Sequence, residues 1–331
     1  MGITTKDLAE ICGVSRTTVN RALQGTGRIK EETKRRILDT AKQLGYEPDL
    51  VARSLVSGKS MMIGVIIVDL KNQYYPKMVN AIAERVLEDN YILNITIHRD
   101  DKEMEKKLVS MLSGHRVDGL ILSPVNKGEP FYNMMSKVKV PYCILGIDEF
   151  ENCPAVGIDE LAAVKEAAEY IWGRGYRRVA FVAPPMYDSD GILNMGHHRR
   201  LAGFTAAMKS RNCEYEVLME RESTAYLKQV LDFISCSDMT RPGLLCSGAV
   251  YAIQVMGFLK KHGYNAPKDY GIMTFDEVSA YENLFPRITC LDNHVEKTGL
   301  SAGDLMIKMI RGEEAGQRIV IPHNILEGQT L

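Results

Sequence analysis

The chain has 331 residues, 45% of them hydrophobic and 25% charged, with a formal net charge of −1. That length allows more than one domain with a sizeable core, and the mixed composition excludes disordered, fibrous and small disulfide-stapled classes. No apolar run approaches a membrane span, and the opening MGITTKD lacks the basic and apolar segments of an export signal, so a cytoplasmic chain with no membrane partner is expected.

Charge is unevenly placed. Residues 1–60 carry 11 Lys/Arg against 7 Asp/Glu, which leaves 30 against 35 for the rest. A basic head on an acidic body suits a head that meets phosphate. The stretch TTKDLAEICGVSRTTVNRAL, Thr4 to Leu23, reads as two short helices joined by a tight turn. Thr4 is an N-cap with Asp7 three residues on, a capping-box pattern. Leu8, Ala9 and Cys12 make one apolar stripe. Gly13 ends the helix, because a left-handed residue costs glycine little. Ser15 caps the second helix, with Val19 and Leu23 on its buried side and Arg16, Thr17, Asn20 and Arg21 facing outward. Such a helix can enter a major groove and offer donors to base edges; a helical hairpin with a solvated charged face is the bland alternative. A third helix is predicted over 30–44, with Thr33, Ile37, Ala41 and Leu44 on one face. Tyr46-Glu47-Pro48 is a linker. The segment 50–56 is too short to hold a helix unaided and is predicted to be helical only when docked.

From Met61 the rhythm changes. Near-continuous apolar strands are predicted at 62–68, 91–97, 117–122 and 141–147. They alternate with amphipathic helices at 77–87, 102–112 and 131–138. The pattern then repeats: helix 161–172, strand 178–182, helix 196–211, strand 215–219, helix 224–234, strand 243–246, helix 250–262, strand 270–275. Residues 289–291 lead into a helix at 296–310 and a last strand at 318–321. This alternation means parallel sheets covered on both faces, and two α/β lobes fit better than one oversized sheet. Ligands in such lobes bind at the carboxyl ends of the strands, in the crevice between halves.

The seven cysteines are scattered and include no CxxC pair, which points to reduced thiols and no zinc or disulfide framework. No dinucleotide fingerprint, Walker loop, nucleophile elbow or HExxH is present, so an enzyme is not expected, and neither is a cofactor. His197 and His198 are adjacent, which is the wrong spacing for joint metal ligation on a helix, and a polar rim near the cleft is the better reading. Met134, Met135, Met306 and Met309 read as packing.

The chain resembles, end to end, the lactose-repressor (LacI/GalR) family of bacterial transcription regulators. The head through KDLAEICGVSRTTVNRALQGTGRIKEETKRRILDTAKQLGYEPDLVARSLVSGKS looks like the family's helix-turn-helix plus hinge. RVDGLILSP, RRVAFVAPP, HHRRLAGF and the TFDE segment are similar to its core segments. The resemblance implies an all-α helix-turn-helix head, a three-helix bundle plus hinge helix, joined to a periplasmic-binding-protein-like α/β core of two parallel-sheet lobes. The implied boundaries are 1–47 for the head, 48–60 for hinge and linker, and 61–331 for the effector-binding and dimerisation core. Its N-lobe takes about 61–159 and 291–321, its C-lobe about 160–290 and 322–331.

The resemblance implies base reading by Arg16 and Thr17, with Arg21 as a further groove contact. Thr4, Thr5, Ser15, Thr18 and Asn20 fall at phosphate- or groove-facing positions. Leu55 matches a hinge leucine that wedges into a minor-groove step. Effector residues carry over as Tyr74, Tyr75, Arg200 and Asp276, the last two able to pair when the cleft is empty. Three polar positions are missing: the family usually has Asp where this chain has Gly146, and Cys-Ala-Asn-Asp where it has Cys246-Ser247-Gly248-Ala249. The implied partners are a pseudo-palindromic double-stranded operator, a second copy of the chain (a homodimer, or a dimer of dimers), and a small effector, either a sugar derivative or an anionic metabolite. Rival readings are a solute-binding-protein-like sensor and an activator of the same family.

Overall fold

The computed structural model describes the chain apart from residues 1–2, 47–57, 72, 148–149, 151, 188–194, 220–224, 237–239, 278–285 and 315. The expected hinge segment 50–56, with Leu55, lies outside the described residues. The chain divides into two compact units, Met1–Ser60 and Met61–Leu331.

The first unit is a three-helix head: α1 (Thr5–Ile11), α2 (Arg16–Gln24) and α3 (Glu31–Gln43). Leu8, Val19 and Ile37, one from each helix, are fully buried against one another and make a small shared core. Two details differ from the sequence reading. Ala22 is more deeply buried than Leu23, and Leu44 stays 39% exposed because α3 has ended before it.

The second unit holds two sheets. The N-lobe is built in order from β1 (Met62–Ile67), α4 (Tyr74–Leu87), β2 (Ile92–Ile97), α5 (Lys102–Gly114), β3 (Gly119–Leu122), α6 (Gly128–Met135), β4 (Tyr142–Leu145) and β5 (Ala155–Gly157). The C-lobe follows with α7 (Glu160–Gly173), β6 (Arg178–Val182), α8 (Met195–Ser210), β7 (Glu214–Leu218), α9 (Ala225–Ser235), β8 (Gly243–Cys246), α10 (Ala249–Lys261), β9 (Gly271–Phe275) and β10 (Thr289–Asp292). The chain then returns to the N-lobe with α11 (Val295–Arg311) and β11 (Arg318–Val320), and ends in the C-lobe with β12 (Asn324–Leu326). The N-lobe order is β11-β5-β4-β3-β1-β2, all parallel; the C-lobe order is β12-β10-β9-β8-β6-β7, parallel except for β12.

Strands β1, β3, β6, β8 and β9 are buried along almost their whole length, as parallel strands covered on both faces must be. The sequence reading did not include β5 and β12, which are only three residues long and carry no periodic signal. Helix α4 starts at Tyr74, three residues before the expected point. Pro76 sits in its first turn, where the missing N–H has no helical partner to lose. Two glycines set close helix contacts. A Cβ at Gly299 of α11 would strike the Met78 carbonyl of α4, and one at Gly203 of α8 would strike the Leu161 carbonyl of α7.

Candidate nucleic-acid interface and ligand cleft

In the head, local chemistry fixes both helix starts. The Thr4 N–H donates to Asp7 Oδ2 at 2.8 Å and the Asp7 N–H donates back to Thr4 Oγ1 at 3.3 Å, a complete capping box. The backbone and hydroxyl bonds from Thr4 hold the Asp7 carboxyl below its ordinary range. Ser15 caps α2: its Oγ accepts from the Thr18 N–H at 3.2 Å and lies 2.9 Å from the Thr18 hydroxyl. Gly13, at φ +59, makes the turn between the two helices. The turn is tied to the third helix where Arg36 Nη2 donates to the Cys12 carbonyl at 3.1 Å.

This leaves one face of α2 open. Arg16, Thr17, Asn20 and Arg21 are exposed, while Val19 and Ala22 are buried on the opposite side. Thr4 and Ser15 are exposed, and Thr5 and Thr18 are half-buried. The helix-start N–H groups that the cap leaves unbonded and the partial positive charge there favour phosphate, and the outward side chains supply donors.

In the core, a cleft of about 1200 Å³ opens between the lobes. Tyr74, Tyr75, Arg200 and Asp276 all lie on its walls, two from the N-lobe and two from the C-lobe. Tyr74 and Tyr75, at the start of α4, meet edge to face with ring centroids 5.1 Å apart. The Tyr75 hydroxyl lies 2.8 Å from Ser123 Oγ, and desolvation pushes its phenol up to about 12. Desolvation also raises the Tyr74 phenol well above its ordinary value, reinforced by Tyr75, Glu160 and Asp276. Ser123 is held from behind: its carbonyl lies 2.9 Å from His98 Nε2, while the Asp100 N–H donates to His98 Nδ1. That fixes the His98 tautomer, with Nε2 as the donor.

Pairing with Arg200, one of the two roles open to Asp276, is not what forms. Arg200 lies on α8 and Glu160 is the first residue of α7. The Arg200 Nε donates to Glu160 Oε2 at 2.7 Å and its Nη2 to Oε1 at 3.1 Å, the fork geometry a carboxylate prefers. Nη1 donates to the Ser247 carbonyl at 2.5 Å, and the guanidinium carbon stands 3.6 Å over the Phe275 ring. Asp276 instead accepts from Asn293 Nδ2 at 2.7 Å. The physical reason is packing: α7 and α8 lie against each other, so Glu160 reaches the guanidinium in two-point geometry. Asp276 occupies a left-handed backbone position, φ +73, at the end of β9. Desolvation raises its carboxyl to about 6, opposed by Arg200 and helped by Glu160.

Sequence reasoning missed Glu160, Asn293, Ser247 and the Lys77–Glu277 ion pair. His197 does line the cleft, and its Nδ1 lies 2.7 Å from Ser247 Oγ. Desolvation, then Arg200, lowers its imidazole to about 3, so it is neutral at physiological pH. Lys77, on α4 of the N-lobe, binds Glu277, just past β9 of the C-lobe, at 2.7 Å. Gly146, Gly248 and Ala249, the three positions the sequence marks as lacking polar side chains, all line the cleft. Gly146 adopts φ +110, a conformation in which an L side chain is strained.

Comparison with known proteins agrees with this geometry. The family model described as bacterial regulatory proteins, lacI family, matches residues 4–49, and that of a periplasmic binding protein-like domain matches residues 168–331. The HTH-type transcriptional regulator MalR of Streptococcus pneumoniae is 26% identical, with 99% of this chain and 100% of the relative covered. Catabolite control protein A of Priestia megaterium is also 26% identical, with 98% of each covered. Among solved structures, the Lac repressor dimer bound to operator and the anti-inducer ONPF superposes with a TM-score of 0.88 at 18% identity, over 100% of this chain and 99% of that one.

Proposed function

We propose that this chain is a transcriptional regulator of the LacI family, a repressor whose operator affinity is set by a small molecule held between the core lobes; the lacI-type match of the head and the periplasmic-binding-protein-like match of the core support this reading. The single observation that carries the DNA-binding role is the doubly capped helix-turn-helix with Arg16, Thr17, Asn20 and Arg21 on its outer face. Arg16 and Thr17 read base edges in the major groove, with Arg21 as a further contact. Thr4, Thr5, Ser15, Thr18 and Asn20 meet phosphates or the groove wall. Residues 1–47 act as the head, 48–60 as the hinge, and 61–331 as the core. Leu55 acts as an apolar wedge in the central minor groove, where unstacking costs a few kcal/mol and is offset by contacts to bent DNA. A homodimer places two recognition helices on the halves of a pseudo-palindromic site.

The effector lies against Tyr74, Tyr75, Arg200 and Asp276. It acts by binding one lobe arrangement more tightly than another, since equal affinity shifts nothing. The Lys77–Glu277 pair, which joins the lobes, is one contact such a shift would remake. Selection of sites from a random DNA pool by the full-length protein tests the reading. A recovered inverted repeat, bent on binding by the parent but less by Leu55→Ala, is the expected outcome. Recovery of no preferred sequence would remove the DNA-binding role.

A further inference from the structure

The cleft carries an excess of negative charge. Among the described residues, six carboxylates line it against four Lys/Arg side chains. At its centre the imbalance is sharper. Arg200 is already matched by Glu160 through two hydrogen bonds, and its third donor group is used by the Ser247 carbonyl. Asp276 is therefore the carboxylate left over. One of its oxygens accepts from Asn293. The other faces Gly248, where a Cβ would stand 3.7 Å from it and the glycine supplies none. Asn293 is only 4% exposed, and its Oδ1, an acceptor on the cleft wall, is buried with no hydrogen-bond partner among the described residues. Tyr74 stands close enough to Asp276 and Glu160 to feel both charges.

From this we infer that the cleft selects a ligand bearing a protonated primary amine, whose N–H groups are accepted by Asp276 and Asn293 Oδ1 beside the Tyr74 ring. The inference rests on the cleft being the effector site. An ammonium has three donors and no acceptor, which suits two adjacent acceptors and a surplus negative charge. A hydroxyl has a single donor and leaves that charge in place. An anion at this centre would have to displace Glu160 from Arg200 and would leave another carboxylate desolvated without a partner. A metal ion is a poorer match, because no group of three His, Cys, Asp or Glu side chains converges among the described residues. The aromatic face adds attraction for a desolvated cation. The groups facing Asp276 are Arg200 from α8, Glu160 from α7, Tyr74 from α4 and Asn293 after β10.

Matched triads test this, each an amine, an alcohol and a carboxylate on one skeleton. Two suffice: glucosamine, glucose and glucuronate, and cyclohexylamine, cyclohexanol and cyclohexanecarboxylate. Binding to the full-length protein is followed by saturation-transfer NMR near pH 7, where both amines are largely protonated and Asp276 is largely ionised, and cleft binding is the signal lost in Tyr74→Ala. The amine of a triad is expected to bind about tenfold more tightly than its alcohol, the worth of a charge-assisted hydrogen bond. In Asp276→Asn that ratio should fall to about one. The unsubstituted protein gives an independent answer, since the amine preference should shrink as Asp276 is protonated toward about pH 5. An alcohol or carboxylate binding the cleft as tightly as its amine, or a preference unchanged in Asp276→Asn and at low pH, overturns the amine assignment and leaves the cleft as a binding site. If no member of either triad gives a signal that depends on Tyr74, the effector site itself is misplaced and both readings fall.

Discussion

The Arg200–Glu160 pair offers a direct test of how the cleft is held. The two side chains are 13% and 20% exposed, so both charges are largely out of water. Breaking a buried pair by removing one partner costs about 3–5 kcal/mol, because the other charge is left without compensation. Glu160→Ala should fall at the low end, about 3 kcal/mol, since Asp276 still acts on the guanidinium and Phe275 still underlies it. For a core of this size each kcal/mol moves the melting temperature by about 2–4 °C, so the expected drop is about 6–12 °C. The chain has a single tryptophan, Trp172 in α7, twelve positions from Glu160 on the same helix. Its fluorescence during urea unfolding reports the core without a contribution from the head. The double substitution Glu160→Leu with Arg200→Met should return to within about 1 kcal/mol of the parent, because apolar groups of similar volume need no compensation. If Glu160→Ala alone stays within about 0.5 kcal/mol of the parent, and the double-mutant cycle shows no coupling, the pair is solvated and this account of the cleft fails.

Three further outcomes are expected. Arg16→Ala should cost about 1–3 kcal/mol on the selected site and less on random DNA; a loss of equal size on every sequence, read by fluorescence anisotropy, would make Arg16 a phosphate contact. Ile37→Ala removes a fully buried side chain from the head and should destabilise it by about 2–5 kcal/mol, abolishing operator binding while the Trp172 urea transition is unmoved. The Asp276 carboxyl is raised from 3.8 to about 6 in the folded protein, so folding favours its protonated form. Its contribution to stability is therefore most favourable below about pH 4 and is lost as pH rises to about 6, amounting to about 3 kcal/mol at most. Relative to Asp276→Asn, the urea midpoint of the parent should fall across that window; parallel pH profiles would contradict the shift.

What was legible in the sequence was local. The Thr4–Asp7 box and the Ser15 cap each link residues three positions apart, so their chemistry can be read from spacing alone. The alternation of apolar strands with amphipathic helices, together with the resemblance, led to two α/β lobes because each element carries its own periodicity. The start of α4 was placed three residues late because the apolar spacing that marks the helix begins only at Met78, while its first turn is Tyr74, Tyr75 and Pro76. The strands β5 and β12 were invisible because three residues have no period. The cleft was legible at single positions and illegible in its pairings. Glu160 meets Arg200 from forty positions away, Asn293 meets Asp276 from seventeen, and Lys77 meets Glu277 from two hundred. No spacing rule reaches those distances, and only the packing of α7 on α8 shows why Glu160 takes the guanidinium that Asp276 was expected to share.

The last described stretch of chain completes both sheets at once. β11 adds an edge strand to the N-lobe beside β5, and a few residues later β12 adds the antiparallel edge of the C-lobe beside β10. Thr330, fully buried, then donates its hydroxyl to the Ile272 carbonyl and accepts from the Thr289 N–H. A ribosome that has made everything up to β10 has therefore finished neither lobe, however much of each is already outside the exit tunnel. A head released early, by premature termination or by a protease cut near residue 312, would carry its recognition helix on a core that cannot close either sheet.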